Sequence, residues 1–179
     1  MTTDTLPSRR TIRLQGYDYS SSGMYFVTIC RQDRICLFGE VIGKTVGAGL
    51  CPALNDYYIK LSQYGEIIEE QWISLPNLFP NIILHEYVIM PNHFHAIIEI
   101  DTWAGQSPAP TLGNIIGSFK SISTKKCNKM DNISGQKIWQ RNYYEHIIRD
   151  EKSYNNMTDY IASNPINWQS DDYYINKNI

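Results

Sequence analysis

The fold is decided by residues 87–100, which read YVIMPNHFHAIIEI. This pattern predicts two strands joined by a turn at Pro91, the second of which carries two histidines. Side chains alternate between the faces of a strand, so His93 and His95 share one face while Phe94 lies on the other. Two imidazoles held together on a rigid strand suit a divalent metal ion. On spacing alone, however, packed strand histidines are the commoner case, so a metal site needs further ligands.

The composition places limits on the kind of protein. A chain of 179 residues with 42% hydrophobic and 19% charged residues is typical of one soluble globular domain. It contains no apolar run of about 18 residues and no signal-peptide core, which argues against a membrane span. The four cysteines form no Cys-x-x-Cys pair, so we expect a reducing, cytoplasmic setting.

The charge is distributed unevenly along the chain. The net charge is −2, which disfavours a protein that coats nucleic acid without specificity. Residues 60–101 carry one basic and six acidic residues, whereas residues 113–149 carry seven basic and two acidic ones. The sequence therefore predicts either one polyanion-binding surface or a solvated helix face, and charge alone does not choose between them.

The hydrophobic periodicity predicts an α+β domain with an antiparallel sheet. We assign residues 1–22 to a basic N-terminal arm, 23–168 to a single domain, and 169–179 to a polar, weakly specified C-terminal tail. The predicted elements are a strand over 24–30 with a hairpin partner over 35–42, a helix over 57–75, the hairpin of 87–100, a helix capped by Thr111, a strand over 138–148 and a helix over about 151–163 capped by Asp150.

The last predicted helix brings chemistry-bearing residues together. Tyr160 and Asn164 are four residues apart and therefore lie on the same helix face. With His93 and His95, Asn164 would complete a three-ligand site with open positions for a phosphate, and Tyr160 would face that phosphate as a nucleophile. The alternative is that Tyr160 fills the core and Asn164 only ends the helix.

Other tyrosines and histidines compete for functional roles. Tyr143 and Tyr144 are rival nucleophiles, but their predicted strand and the lack of a ligand four residues later favour packing. His85 and His146 have no partner at ligand spacing, so we assign them structural roles.

Six short sequences, taken in their order along the chain, resemble one family. They are RLQGYDY (13–19), YFVT (25–28), MPNHFH (90–95), GSFKS (117–121), IWQR (138–141) and YIASNP (160–165). Together they resemble the REP-associated tyrosine transposases, relatives of the single-tyrosine transposases of bacterial insertion sequences and members of the wider HUH endonuclease group. The resemblance covers residues 9 to 168.

The resemblance implies a fold, a reaction and roles for individual residues. The fold would be ferredoxin-like, with helices packed on an antiparallel sheet. His93 and His95 would be metal ligands for Mg²⁺ or Mn²⁺, and Tyr160 would form a 5′-phosphotyrosine link to single-stranded DNA. Asn164 occupies the place of the third ligand, where relatives often have the longer Gln.

The implied partner is single-stranded or hairpin DNA, with no membrane and a possible homodimer. Six residues are candidate DNA contacts: Arg9, Arg10, Arg13, Lys120, Lys125 and Arg141. The leading hypothesis is a metal-dependent DNA endonuclease and strand transferase acting on hairpin or repeat DNA. The alternatives are a domesticated, non-catalytic DNA-binding protein on the same fold and a hydrolase of small phosphodiesters.

Overall fold

A computed structural model describes residues 19, 21–43, 57–101 and 110–175. The predicted N-terminal arm, with Arg9, Arg10 and Arg13, lies almost entirely outside the described residues. None of the described helices is both long and apolar enough to cross a lipid bilayer.

Four antiparallel strands form the main sheet, in the order β4-β5-β1-β6. The strands are β1 (Gly23–Cys30), β4 (Ile82–Ile89), β5 (His93–Ile100) and β6 (Tyr144–Ile148). Strands β2 (Gly39–Gly43) and β3 (Tyr57–Leu61) form a separate two-stranded sheet. The β2–β3 sheet and two helices lie between β1 and β4, and one helix connects β5 to β6, so the main sheet has the ferredoxin-like strand order. The predicted fold class is therefore confirmed.

The helices cover both faces of the main sheet. They are α1 (Gln63–Ile73), α2 (Leu75–Leu78), α3 (Leu112–Met130) and α4 (Glu151–Ser163). One face meets α1 and α3 across a large core that includes Trp72, Phe94 and Phe119. The opposite face meets α4 across a smaller core of Phe26, Ile97, Ile148 and Ile161. This second, thinner layer is the one that carries the two histidines.

Local capping determines where two of the helices begin. The Thr111 side chain accepts a hydrogen bond from the Asn114 backbone, and the Asn114 side chain accepts one from the Thr111 backbone. The Asp150 side chain accepts from the Ser153 backbone at 2.7 Å. Such caps satisfy donors that the first helical turn leaves unpaired. The Thr111 cap and the 151–163 helix are therefore confirmed.

The predicted hairpin between residues 24–30 and 35–42 is wrong. Strand β1 pairs on one edge with β5 and on the other with β6, so no edge remains for β2. The chain after β1 instead turns beneath the β4–β5 connection, where Leu37 and Phe38 donate backbone hydrogen bonds to the Pro91 carbonyl. Apolar alternation identifies a strand but does not identify its partner.

The predicted helix over 57–75 begins too early. Residues Tyr57–Leu61 form β3, and α1 starts only after Ser62, whose side chain accepts a hydrogen bond from the Gly65 backbone. The YYIKL stretch alternates half-buried and exposed side chains, which is strand periodicity. Its apolar residues also fit a helical spacing continued from α1, and that coincidence explains the error.

Two glycines provide a matched test of the packing. A Cβ at Gly65 would lie 2.1 Å from the Phe38 carbonyl oxygen, and backbone cannot yield cheaply. We expect Gly65→Ala to lower the free energy of unfolding by about 1–3 kcal/mol. A Cβ at Gly117, inside α3, would meet nothing within 4 Å. Gly117→Ala should therefore raise stability by about 0.5–1 kcal/mol. Chemical denaturation measures both, and equal stability of the two variants would contradict this packing.

Candidate active site

The two histidines lie side by side under α4. Strand β5 places His93 and His95 on the same face, with ring centroids 4.5 Å apart. Both are buried, and the Nε2 atoms of both rings lack a hydrogen-bond partner. The Oδ1 atom of buried Asn164 is also without a partner. Buried polar atoms without partners are uncommon, and a divalent cation would satisfy all three of these.

Neighbouring side chains orient both imidazoles. The Asn92 amide nitrogen donates to the carbonyls of Arg34 and Tyr173, so its Oδ1 faces His93 Nδ1 at 2.9 Å. His93 Nδ1 must then carry the proton, which leaves Nε2 with its lone pair. His95 Nδ1 lies 2.8 Å from the Thr28 hydroxyl. Partners of this kind fix the ring orientation that a metal ligand needs.

Burial keeps both imidazoles neutral. It lowers the pKa of His93 to about 3, an effect that the neighbouring Asn164 side chain partly counteracts. Burial also holds the pKa of His95 well below its usual range, with a further contribution from His93. Neutral imidazole is the form that binds a metal ion.

Helix α4 places the predicted nucleophile against this pair. The Tyr160 ring meets the His95 ring edge-on, with centroids 5.1 Å apart, and also contacts Phe26. Asn164 lies next to both His93 and Tyr160. The pKa of the Tyr160 phenol is raised, chiefly by burial and then by the charge of Asp171. All four predicted residues therefore lie close together within the described chain.

The site also contains an acidic residue that was not among the predicted ligands. His93, His95 and Asp171 offer ligand atoms that all lie within 4.8 Å of one another, and Asp171 Oδ2 is 3.9 Å from His93 Nε2. Burial raises the pKa of the Asp171 carboxyl. No local pattern marks Asp171, because its contact with His93 joins residues that are far apart in sequence.

Residues 169–175 are not the weakly specified tail that the sequence predicted. The Tyr173 ring lies 4.6 Å from His93, and the Arg34 guanidinium lies 5.1 Å from the centre of the Tyr173 ring. The Tyr173 carbonyl also accepts a hydrogen bond from Asn92 at 2.7 Å. The polar composition of this segment gave no apolar pattern from which its packing could be predicted. Its contacts are individual hydrogen bonds and ring contacts.

A cavity of about 470 Å³ opens beside the histidines. Its lining includes Thr28, His95, Tyr144, His146, Tyr160 and Asp171. Tyr144 is 52% exposed in this wall, contrary to the expectation that it packs in the core. His146 hydrogen-bonds Ser153 at 3.2 Å, and His85 pairs with Glu99 at 3.0 Å.

The predicted DNA contacts lie on other elements. Lys125 and Arg141 are exposed, whereas Lys120 is half-buried and donates hydrogen bonds to the carbonyls of Gln140 and Arg141. These three residues line a second cavity and not the one that contains Tyr160.

The fold and the histidine pair on β5 together indicate a domain of the transposase type. The sequence profile described as "Transposase IS200 like" matches residues 79–164, which contain both histidines, Tyr160 and Asn164. The chain is therefore similar to the IS200-like transposases over this region, and it resembles REP-associated tyrosine transposases in sequence and fold.

The chain is similar to two proteins of Haemophilus influenzae and to one solved structure. An uncharacterised protein of Haemophilus influenzae is 39% identical over 183 residues, covering 93% of each chain. A second Haemophilus influenzae protein, named as a REP-associated tyrosine transposase, is 27% identical over 154 residues, covering 83% of this chain and 73% of the relative. The solved structure of a REP-associated tyrosine transposase bound to a REP hairpin shares the fold. Its TM-score is 0.52 at 20% identity, covering 86% of this chain and 73% of that one.

Adjacent aspartates allow a test of metal binding. We expect Mn²⁺ to stabilise the wild-type protein by about 2.7 kcal/mol at a hundredfold excess over its dissociation constant. Asp171→Asn should weaken Mn²⁺ binding at least about tenfold, because it removes a carboxylate close to His93. Asp172 is exposed, so Asp172→Asn should change the affinity less than about twofold.

The free Mn²⁺ signal in electron paramagnetic resonance and the unfolding midpoint measure this binding without any DNA. If Asp171→Asn and Asp172→Asn lost the same amount of Mn²⁺ affinity, position 171 would contribute only general negative charge.

Proposed function

We propose that this protein is a metal-dependent single-strand DNA endonuclease and strand transferase, acting on hairpin or repeat DNA through a covalent 5′-phosphotyrosine intermediate. The observation that carries the proposal is the contact between the Tyr160 and His95 rings at one cavity, within the region that matches the IS200-like transposase profile. A phenol beside a potential cation site is what in-line attack on a phosphodiester requires.

In the proposed reaction, the Tyr160 oxygen attacks phosphorus. The Tyr160 phenol gives up its proton as its oxygen bonds to phosphorus, the bond from phosphorus to the 3′ oxygen breaks, and the departing 3′ oxygen takes up a proton. The products are a 5′-phosphotyrosine and a free 3′-OH. Attack by another 3′-OH on the same phosphorus would release Tyr160 and join the new strand. Tyr160 is half-exposed and lines the cavity, which supports its proposed encounter with a DNA strand.

We propose His93, His95, Asn164 and Asp171 as the residues that hold the metal ion. When bound, Mg²⁺ or Mn²⁺ would polarise the scissile phosphate and favour the phenolate of Tyr160. Two imidazoles alone would suit zinc, but the amide and carboxylate oxygens shift the preference towards harder cations. Asn92 and Thr28 would serve as positioning residues, since they hold the two imidazoles in orientation.

The proposed substrate is hairpin or repeat DNA, in keeping with the REP hairpin bound by the structurally similar transposase. Arg9, Arg10 and Arg13, in the N-terminal arm, remain candidate contacts for phosphates or bases. Chromosomal DNA as substrate would place the activity in the cytoplasm. Because Tyr160 and the histidines meet within one chain, the proposed chemistry does not need a homodimer.

The rival hypothesis is a domesticated DNA-binding protein whose chemistry has lapsed. One observation favours this rival: the Asp171 carboxylate lies beside His93. Without a bound cation, its negative charge would repel the phosphate of a substrate. A hydrolase of small phosphodiesters is a third, weaker hypothesis.

Trapping of the covalent intermediate separates these hypotheses. We expect wild-type protein, hairpin oligonucleotides and Mn²⁺ to give a protein–DNA adduct that survives denaturing electrophoresis. Tyr160→Phe should abolish the adduct while hairpin binding is retained, because only the attacking oxygen is lost. Tyr144→Phe is the matched control, since Tyr144 lines the same cavity, and it should keep the adduct.

An adduct that persists in Tyr160→Phe would contradict the assignment of the nucleophile. Binding without any adduct from the wild-type protein, across repeat-derived hairpins, would favour the non-catalytic alternative.

A further inference from the structure

A second cleft opens between α3 and the segment that leads into β6. It has a volume of about 510 Å³ and lies between the α3 residues around Lys120–Asn128 and residues 135–141. Twelve residues line it, four of them basic and none acidic. A cavity of this volume accommodates a small ligand and is too small for a DNA duplex. The reaction at Tyr160 does not use this cleft.

Its positive charge is available to a ligand. Lys125, Lys137 and Arg141 are exposed, and none of them forms an ion pair with a carboxylate among the residues the structure describes. Lys126, one position along α3, instead pairs with Glu70 at 2.9 Å. On α3, Lys126 is therefore neutralised by an ion pair, whereas, within the described part of the chain, Lys125 in the cleft is not. Unpaired cations gathered in one cleft are typical of a polyanion-binding site.

Lys120 has a different role from the exposed cations. Its Nζ donates hydrogen bonds to the carbonyls of Gln140 at 2.5 Å and Arg141 at 2.8 Å. Burial lowers the pKa of Lys120 to about 8, so it remains mostly charged at neutral pH. The Trp139 ring is anchored in the core and donates to the Ser123 hydroxyl at 2.9 Å. Lys120 and Trp139 together hold the cleft wall and the base of Arg141 in place.

The same segment connects the cleft to the active site. The Gln140 backbone donates to the Cys30 carbonyl, and Cys30 pairs with His93 across β1 and β5. Arg141 lines the cleft, while Tyr144 lines the active-site cavity on the other side of the sheet edge. Three residues of chain span at most about 11 Å, so the two cavities are close neighbours. An exposed tyrosine between them offers a surface on which a base can stack.

We propose that this cleft binds the single-stranded flank of the DNA substrate, which then crosses the β6 edge over Tyr144 to reach Tyr160. Lys125, Lys137 and Arg141 would neutralise its phosphates, and Lys120 would act as a positioning residue. The inference rests on the proposed DNA-cleaving function and adds the path of the strand to it. It also revises the role of Lys120, which the sequence suggested as a direct DNA contact.

The test compares two triple variants that lose the same charge. The cleft variant carries Lys125→Gln, Lys137→Gln and Arg141→Gln, and the control variant carries Lys60→Gln, Lys126→Gln and Lys129→Gln, at exposed positions outside both cavities. Fluorescence anisotropy measures the binding of hairpin oligonucleotides with and without a single-stranded flank, in a Tyr160→Phe background that prevents cleavage.

We expect the cleft variant to bind the flanked hairpin at least about tenfold more weakly, with the slope of log affinity against log salt reduced by about 2. The control variant should lose less than about twofold. Equal weakening by both variants, or equal weakening of flanked and flankless hairpins by the cleft variant, would overturn the proposal. Matching circular dichroism spectra and unfolding midpoints check that both variants fold.

Adduct formation by otherwise wild-type protein keeps the two proposals distinguishable. If the wild-type protein forms the adduct but the cleft variant binds the flanked hairpin as tightly as before, the strand path is wrong and the proposed function stands. Loss of flank binding in the cleft variant, with no adduct from the wild-type protein, would support the cleft and contradict the cleavage reaction.

Discussion

The pairing of β1 with β5 is the constraint on which the rest of the structure depends. Its register places Thr28 opposite His95 and Cys30 opposite His93, so the imidazoles lie under α4 with a hydroxyl in place to orient one of them. A slip of one residue would turn both histidines into the large core between the sheet and α1 and α3. The same strand pairs with β6 on its other edge, and this positions the cavity wall and the segment that holds Arg141.

The site is built from groups that weaken the fold. Nε2 of both histidines and Oδ1 of Asn164 are buried without partners, and each such atom costs about 1–3 kcal/mol. Protein cores normally avoid such atoms, and three of them on neighbouring side chains favour a binding site over a packed pair of histidines. The Asn92 amide shows the contrast, because every one of its polar atoms is used to join the β4–β5 turn, the Arg34 loop and Tyr173.

The two cavities on either side of the β6 edge of the sheet differ in charge. On one face lies the cavity whose lining includes Tyr160, His95 and Asp171, and on the other lies a cleft with cations and no acids. The exposed residues Arg141 and Tyr144 lie between them. This arrangement explains how an acidic chain with a net charge of −2 can still present a surface for a polyanion.

Local sequence was sufficient for the parts of the protein that short-range rules control. Strand alternation placed His93 and His95 on one face, helical spacing placed Tyr160 and Asn164 together, and capping chemistry located the starts of α3 and α4. Only the tertiary structure decided which strands pair, that β2 joins β3 and not β1, and that Asp171 reaches His93. It also turned Lys120 inward onto two carbonyls. Periodicity records which face of an element is buried, whereas these contacts join residues distant in sequence, and no local pattern identifies the partner.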